Sequence, residues 1–309
     1  MRRPIATVLT ARPWEEALVR LAHASALGRV VARAWEPDGV DAASPDVVVV
    51  GAETAWLGRG VVAAWQGVGR AVVGVHASDS PGERRALDDL GVDHAVAGDD
   101  IERMLLTACR AAVPAAPLAP LVTVSGPRGA PGRSTVAIAL ARSLPGSTLV
   151  DGDPDPNLGP FLGLPPGPTP DELVDLLRTG GRLPRGTEAA GIRVLAPFGP
   201  LPPTAIPCLR ASGPLVVDQG PSPVANPLRS ASLRVFVVEG TAVGLVRAAT
   251  VLREWMGPPP VIVLNKVPAD RVAAIRACRA ATGLEPGALV PTSDRPLEAA
   301  EAAVSGLAA

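Results

Sequence analysis

Short apolar runs that alternate with helical patterns are the feature of this sequence that most limits its fold. The alternation is typical of βαβ units, in which parallel strands are joined by helices. Most runs in the second half of the chain are continuous stretches of Val, Leu and Ile, as expected for strands covered on both faces. The sequence therefore predicts an α/β fold with mostly parallel sheets.

A segment without periodicity, AAVPAAPLAP at residues 111–120, divides the 309-residue chain. Its three prolines mark a boundary, because proline continues neither a helix nor a central strand. We expect an N-terminal domain over residues 1–112, a Pro/Ala linker over 113–119 and a C-terminal domain over 120–309. Hydrophobic residues make up 47% of the sequence, which is enough for a buried core in each domain.

The first half contains strand candidates at residues 5–10, 29–34, 46–51, 71–76 and 94–97. Helical patterns lie between or after them at residues 13–26, 55–67, 81–90 and 100–113. This order predicts a flavodoxin-like layout.

Two segments of the first half resemble the receiver domains of response regulators. PDVVVVG is similar to their third strand, and GVDHAVAGD is similar to the approach to their fifth. The residues that carry receiver chemistry are replaced. Gly51 stands at the position of the phosphorylated aspartate, and Thr10, Ala11 and Arg12 stand near the position of the acidic pair. His76 stands in place of the Ser/Thr of the fourth strand, and Gly98 stands in place of the lysine of the fifth. The resemblance therefore implies a pseudo-receiver that accepts no phosphate and serves for docking.

The stretch LVTVSGPRGAPGRSTVAIALARSL, residues 121–144, predicts a strand, a glycine-rich turn and a helix. Such a turn can direct successive backbone N–H groups at phosphate oxygens on a helix N-terminus. RGAPGRST resembles KGGVGKST, the deviant P-loop of the MinD/ParA ATPase superfamily. The resemblance assigns nucleotide binding to Gly129, Ala130, Gly132, Arg133, Ser134 and Thr135.

Two arginines replace lysines in this alignment. Arg133 stands in place of the P-loop lysine, and Arg128 stands in place of the signature lysine that reaches the partner's nucleotide across an ATP-dependent dimer. Pro127 and Pro131 also remove possible N–H donors, and Ala130 replaces a glycine. Arginine is longer and planar but keeps the charge and can grip phosphate with two hydrogen bonds. Nucleotide binding with hydrolysis, nucleotide binding without it, and a plain glycine turn all remain open.

The second half contains strand candidates at residues 121–126, 148–153, 192–196, 214–218, 234–239, 260–265 and 287–291. Helical patterns lie at residues 134–144, 170–178, 241–256, 270–281 and 295–306. The sequence thus predicts a mostly parallel sheet with helices on both faces, which binds ligands beyond the carboxyl ends of its strands.

Further segments resemble superfamily landmarks in the same order along the chain. In TLVDGDPDPN, Asp153 matches the switch carboxylate that positions the attacking water, and Asp151 matches an aspartate two residues earlier. In PLVVDQGP, Asp218 matches the Walker B aspartate that holds Mg²⁺, with Ser134 as the other metal ligand. In PVIVLNKV, Asn265 matches the asparagine that contacts adenine. The competing interpretation is that Asp151 and Asp153 are only turn residues that cap the end of a strand.

A pseudo-receiver followed by a MinD/ParA-type domain resembles the CpaE/TadZ family of pilus-assembly ATPases, and the loop is close to its actinobacterial GAPGRT variant. The resemblance implies ATP and Mg²⁺ as cofactors, weak or slow ATP hydrolysis and a homodimer. It also implies docking of pilus or secretion-system proteins by the pseudo-receiver, with recruitment to the cell pole or the inner membrane face. The alternatives are a catalytically inactive scaffold and a ParA-like partition or division-site protein.

Charge and hydropathy argue against other functions. The formal net charge of −1 is unlike that of a broad nucleic-acid or membrane binder. No segment has the pattern of a signal peptide or a membrane span, so we expect a cytoplasmic protein. The segment LEAAEAAVSGLAA lacks the cations of a membrane-binding helix, so we expect no direct membrane insertion. A solvated helix face is favoured over DNA binding for Arg247, Arg253, Arg271, Arg276 and Arg279.

Overall fold

The computed structural model describes residues 2–111, 118–129, 131–181, 183–184, 186–202, 204–221, 228, 230–255 and 257–307. The strands, numbered along the chain, are β1 (Arg3–Val8), β2 (Gly28–Ala34), β3 (Val47–Gly51), β4 (Ala71–His76), β5 (His94–Ala97), β6 (Leu121–Gly126), β7 (Thr148–Asp151), β8 (Thr187–Ala189), β9 (Ile192–Leu195), β10 (Leu215–Pro221), β11 (Leu233–Glu239), β12 (Val261–Val267) and β13 (Pro286–Pro291). The helices are α1 (Pro13–Ala24), α2 (Pro37–Ala43), α3 (Arg59–Gly67), α4 (Pro81–Leu90), α5 (Ile101–Ala111), α6 (Arg133–Ser143), α7 (Leu158–Phe161), α8 (Pro170–Thr179), α9 (Ala205–Arg210), α10 (Ala242–Arg253), α11 (Arg271–Thr282) and α12 (Pro296–Val304).

The chain forms two compact units. The first unit comprises Met1–Leu118, Asp171–Leu183 and Pro202–Ser212, and the second comprises Ala119–Pro170, Pro184–Leu201 and Gly213–Ala309. The first unit therefore includes α9 and nearly all of α8, which lie in the second half of the sequence. Most of the linker predicted over 113–119 lies outside the described residues.

The first unit contains a five-stranded sheet in the order β2-β1-β3-β4-β5. Its strand pairs are parallel, and the order is that of flavodoxin-like folds. Side chains of β3 alternate between the two faces because a strand has a period of two. Val47 and Val49 pack with residues of α1 and α5, while Val48 and Val50 pack with residues of α2, α3 and α4. The predicted flavodoxin-like layout is confirmed.

A buried charge cluster fixes α9 within the first unit. The Asp41 carboxylate accepts a hydrogen bond from Trp65 Nε1 at 3.2 Å and pairs with Arg70. Arg210, the last residue of α9, is only 5% exposed and belongs to the same charged group. Burial raises the pKa of Asp41 and lowers that of Arg210, and in both cases the opposite charges resist the shift.

The second unit contains an eight-stranded sheet in the order β13-β12-β11-β6-β10-β7-β9-β8. The strands pair in parallel except β8, which forms an antiparallel edge hairpin with β9 through a turn at Ala190 and Gly191. Both turn residues have positive φ, as the tight turn of a two-residue hairpin requires.

Helices cover both faces of this sheet. In β11, Val235 and Val237 point into a core that also contains residues of α6 and α12. Phe236 and Val238 point to the opposite face, where α10 and α11 close a second core. The predicted mostly parallel sheet with helices on both faces is therefore confirmed.

Strand β6 occupies the position where the chain changes direction across the sheet. From β6 the chain passes to β7 on one side, with β10 between them, and from β10 it crosses to β11 on the other side. In open parallel sheets, such a switch point leaves a crevice beyond the carboxyl ends of the strands. The loop after β6 therefore lies where a ligand site is expected.

Candidate functional site

The loop between β6 and α6 is built around two glycines in left-handed backbone conformations. Gly129 has φ +107° and Gly132 has φ +90°, values that side chains with a Cβ rarely adopt. A Cβ on Gly132 would also overlap the side-chain amide of Asn265. The loop conformation thus depends on glycine at both positions, while Ala130 lies outside the described residues.

Helix α6 begins without a side-chain cap. Its N-cap residue is Gly132, which has no side chain to accept a hydrogen bond, whereas Ser80, Thr241 and Asp270 cap α4, α10 and α11. The N–H groups in the first turn of a helix have no partners within the helix. The start of α6, which includes Ser134 and Thr135, therefore offers N–H donors and a partial positive charge to an anion.

Arg133 lies across the loop that precedes it. Its Nη1 donates to the carbonyl oxygen of Pro127 at 2.8 Å, and its Nη2 lies 3.8 Å from Asp153 Oδ2. The side chain is 14% exposed, and its Nε has no hydrogen-bond partner among the described residues. Burial lowers the pKa of the guanidinium, while the charges of Asp218 and Asp153 oppose that shift. The arginine thus keeps an unused donor inside the loop.

Ser134 and Asp218 meet at the start of α6. The Ser134 hydroxyl donates to Asp218 Oδ2 at 2.7 Å. Asp218 is 3% exposed, and the backbone N–H of Gly220 donates to its other oxygen at 3.2 Å. Burial raises the pKa of Asp218, and the hydrogen bonds from Ser134 and Gly220 counteract the rise. The two residues that the sequence predicts as metal ligands are in direct contact.

Two further aspartates stand beside this pair because β7 and β10 are neighbours in register. Asp151, paired with Asp218 in the sheet, accepts from the N–H of Leu158 at 2.8 Å and of Asp153 at 3.3 Å. Burial raises its pKa to about 6, an effect that the two N–H donors reduce and the charge of Asp218 increases. Asp153 accepts from the N–H of Asp155 at 3.0 Å. Asp151 is thus a structural acceptor, while Asp153 faces Arg133.

Asn265 lies in the carboxyl half of β12 and contacts the loop directly. Its Nδ2 donates to the carbonyl oxygen of Pro131 at 2.6 Å, and the residue is 8% exposed. The structure therefore gives Asn265 a role in holding the loop. Its predicted contact with adenine remains a prediction.

Two adjoining clefts open at this edge of the sheet. The larger has a volume of 840 Å³ and lies between the loop, the segment after Asp153 and one side of α10. The smaller has a volume of 390 Å³ and contains Ser134, Thr135 and the aspartates 151, 153 and 218. Both volumes are in the range of small-molecule sites. Arg128, Gly129 and Arg133 line the larger cleft. Together the two clefts contain every described residue that the sequence assigned to the site except Asn265, which donates to the Pro131 carbonyl of the loop.

Some cleft residues were not assigned to the site from the sequence. Arg247 and Val246 of α10 line the larger cleft, Asn157 lines both, and Phe161, which is 65% exposed, lines the smaller. Asn157 could have been noticed within TLVDGDPDPN, because it follows the two aspartates. The position of Arg247 depends on how α10 packs, and no motif in the sequence signals it.

A complete metal site is not preformed. In the part of the chain that the structure describes, no group of three or more His, Cys, Asp or Glu side chains is arranged to hold a metal ion. Mg²⁺ commonly binds through one or two carboxylates together with water and substrate phosphates. Ser134 and Asp218 have the chemistry of such a partial site.

The corresponding edge of the first unit has a different chemistry. At the end of β3, a Cβ on Gly51 would overlap the carboxylate of Glu53, which also accepts a hydrogen bond from Thr10. Arg12 donates to both oxygens of Glu83, at 2.8 and 2.6 Å. Gly51 and Arg12 are positions where the sequence comparison expects receiver chemistry to be replaced. The loss of phosphate acceptance remains a prediction.

The fold and the site therefore describe an α/β protein with a flavodoxin-like unit and a second unit that carries a glycine loop and helix N-terminus at its switch point. No protein-family model matches the chain, and a search of curated proteins found no match. No helix in the described ranges is long and apolar enough to cross a bilayer.

Solved structures resemble the chain at low sequence identity. A ParA family ATPase from Chlorobium tepidum TLS is 14% identical with a TM-score of 0.44, and the match covers 61% of this chain and 90% of that one. MinD from Aquifex aeolicus is 17% identical with a TM-score of 0.41, covering 60% and 86%. The signal receiver domain of NarL from Mycobacterium tuberculosis is 19% identical with a TM-score of 0.31, covering 35% and 97%. At such identities the likeness concerns the fold alone.

Proposed function

We propose that the chain is a nucleotide-dependent switch whose second unit binds ATP with Mg²⁺ and whose first unit docks a protein partner. One observation carries the proposal. The Ser134 hydroxyl and the Asp218 carboxylate meet at 2.7 Å at the start of an uncapped helix. Hydroxyl and carboxylate oxygens beside helix N–H groups suit a phosphate group and the hard cation that accompanies it.

The residues present fit this cofactor. Gly129 and Gly132 leave the loop backbone without a side chain at their own positions, and Arg133 retains a buried Nε without a partner among the described residues. The N–H groups at the start of α6, together with Arg133 and Thr135, would hold the phosphates, while Ser134 and Asp218 would hold the metal. Mg²⁺ bound there would supply charge neutralisation for phosphoryl transfer. Asn265 would position the loop, in addition to its predicted contact with the base.

Asp153 is the residue proposed to orient a water molecule. Its Oδ1 accepts the N–H of Asp155, and its Oδ2 faces the guanidinium of Arg133 at 3.8 Å. Asp153 can accept a hydrogen bond from water at Oδ2 only where Arg133 leaves that oxygen accessible. This arrangement supports weak or slow hydrolysis. Arg128, which is exposed in the larger cleft, keeps its proposed role of reaching across a homodimer.

A catalytically inactive scaffold is the second candidate, and the geometry of Arg133 favours it. Its guanidinium is already bound to the loop through the Pro127 carbonyl, so the loop is stabilised without a nucleotide. Pro127 and Pro131 also lack the N–H groups that a phosphate would accept from. In this candidate the second unit serves only as a rigid platform for partners.

The finer identity proposed is that of a CpaE/TadZ-type protein of pilus or secretion systems, recruited to the cell pole or inner membrane face by its partners. Support comes from the sequence resemblance and from the contacts at two of its receiver positions, where Gly51 lies against Glu53 and Arg12 binds Glu83. A ParA-like partition or division-site role is the alternative. A mobility-shift assay with duplex DNA at low salt separates the two, because partition ATPases of that type bind DNA.

Calorimetric titration with ATP and Mg²⁺, combined with light scattering, tests the proposed function. We expect binding by the natural protein, and we expect Ser134→Ala to weaken Mg²⁺-dependent binding by about tenfold or more. Ser143→Ala is the matched control, because Ser143 ends the same helix and its hydroxyl donates to Leu140. Absence of binding up to millimolar ATP would leave the scaffold as the function.

A further comparison separates a slow enzyme from a scaffold. Lysine at position 133 keeps the charge but has a single nitrogen, so it cannot contact Pro127 and Asp153 with a planar fork. We expect Arg133→Lys to raise the rate of phosphate release and Arg133→Ala to abolish ATP binding. If both variants bind ATP like the natural protein and neither hydrolyses it, Arg133 has no nucleotide role.

A further inference from the structure

Helix α10 presents one arginine to the larger cleft. Thr241 caps the helix by accepting from the N–H of Gly244 at 3.1 Å, so the first turn is fixed to the end of β11. Leu245 and Ala248 are buried on the core side of the helix. The opposite side, with Val246 and Arg247, lines the cleft.

The Arg247 guanidinium lies directly against the glycine loop. A Cβ on Gly129 would overlap its Nη1, so the close approach requires glycine at position 129 in addition to the positive φ there. Arg247 is exposed and has no hydrogen bond or ion pair within the described residues. An arginine held against a loop backbone without an acidic partner is available to an anion in the cleft.

The charges around the cleft are divided by sign. Arg128, Arg133 and Arg247 line it beside the loop, whereas Asp153 and Asp155 line it on the segment after β7. A phosphate chain that carries a divalent cation matches this division, because its oxygens suit guanidinium groups and its cation suits carboxylates. A neutral or purely cationic ligand would leave the arginines without partners.

The loop itself offers fewer donors than a glycine-rich loop of the same length. Pro127 and Pro131 have no N–H, and they stand on either side of the segment that Arg247 contacts. A guanidinium carries five N–H donors and can replace backbone donors that the prolines remove.

We infer that Arg247 is a further phosphate-binding residue, which contacts the polyphosphate of a bound nucleotide from α10 and compensates for the two prolines. The inference rests on the proposed function, since it names another residue of the same site. This role differs from the expectation that Arg247 belongs to a solvated helix face, because the Arg247 side chain lies against the loop at Gly129. It predicts that the contact is to phosphate and not to the base.

The test compares binding of two probes, Mg·ATP and Mg·tripolyphosphate, to the natural protein and to Arg247→Gln. We expect the variant to lose about 10-fold to 100-fold in affinity for both probes, as for loss of a charge-assisted hydrogen bond. Arg247→Lys should recover part of the loss. Arg253→Gln is the matched control, since Arg253 is exposed at the end of the same helix and does not line the cleft.

The outcomes separate this inference from the proposed function. If the natural protein binds neither probe, the proposed function fails and the role of Arg247 fails with it. If the natural protein binds ATP and Arg247→Gln binds it equally well, only the role of Arg247 is overturned. An equal loss in Arg253→Gln would show a general charge effect, and a loss for ATP without a loss for tripolyphosphate would show a base contact. Either result would also overturn the inference.

Discussion

Arg133 illustrates how one substitution changes what a loop can do. The side chain reaches both the Pro127 carbonyl and the vicinity of Asp153, which lie on different segments of the chain. A lysine has one terminal nitrogen and no planar fork, so it could not make both contacts in this way. The arginine thus couples the loop to the residue proposed to orient water, and ligand binding at the loop would alter that coupling.

Several site residues could be predicted from the sequence because parallel strands end at the same edge of a sheet. Asp153 and Asp218 follow or end an apolar run, Ser134 lies in the helix that follows β6, and β6, β7 and β10 bring the three together. The contacts of Arg247 with Gly129 and of Asn265 with Pro131 could not be predicted in this way. They depend on helix packing and on the loop conformation, which leave no periodic signal.

Glu83 gives a pH-dependent prediction at the scale of one residue. Two hydrogen bonds from Arg12 and one from the Ala77 N–H lower the pKa of Glu83 from 4.5 to about 2. Because the pKa is lowered in the folded state, the stabilisation is complete above about pH 4.5 and is lost as the pH falls toward 2. We expect Glu83→Gln to lower the free energy of unfolding by about 1–2 kcal/mol at pH 7, a value reduced for partial exposure.

The measurement is chemical denaturation of both proteins between pH 2 and pH 7. The difference between the natural protein and Glu83→Gln should shrink steadily below about pH 4.5. Glu16→Gln is the control, because Glu16 forms an exposed pair with Arg20 and should change stability little at any pH. A Glu83→Gln difference that stays constant across this range would contradict the proposed cause.

At the scale of elements, the sequence predicted the long segments well and missed the short ones. Every strand and helix candidate overlaps an observed element, while β8, α2, α7 and α9 were not predicted. Helix α7 spans four residues and α9 spans six with Pro207 inside, so neither is long enough to show a helical period. Strand β8 has three residues and pairs only at the sheet edge. Tertiary packing, not local pattern, determines these elements.

Close packing of α3 and α8 gives a prediction at this scale. A Cβ on Gly60, in the first turn of α3, would lie 2.9 Å from the carbonyl oxygen of Leu177 and 3.3 Å from its Cα. The added methyl group would meet backbone atoms of Leu177, which cannot rotate away as a side chain can, so α8 would have to shift. We expect Gly60→Ala to destabilise the first unit by about 1–3 kcal/mol although alanine favours helix.

Thermal unfolding followed by tryptophan fluorescence provides the measurement. Gly67→Ala is the control, since Gly67 ends the same helix and a Cβ there meets no atom of the described residues within 4 Å. That variant should be neutral or more stable by about 0.5–1 kcal/mol. Equal effects of the two substitutions would indicate that α8 does not pack against Gly60 as described.

At the scale of the whole molecule, the order of residues along the chain does not coincide with the compact units. The chain leaves the second unit after Pro170 to form α8, returns at Pro184, and leaves again at Pro202 to form α9. Leu177 of α8 is 3% exposed, and Arg210 of α9 is buried beside Asp41 and Arg70. A domain boundary drawn only at the Pro/Ala linker would separate both helices from the unit in which they pack.

Native-state hydrogen exchange of the full chain tests this assignment. Amides that belong to one cooperative unit become exchangeable at the same free energy of opening. We expect the protected amides of α8 and α9 to open together with β3 and β4, and not with α6 or β10.

Val49→Ala, which removes two methyl groups from the buried core of the first unit, should lower the opening energy of α8 and α9 by about 1–3 kcal/mol. The same substitution should leave α6 unchanged. If α8 and α9 instead keep their protection and open with α6, the two helices belong energetically to the second unit. The cooperative units would then be divided at residues 113–119, and not as the compact units are.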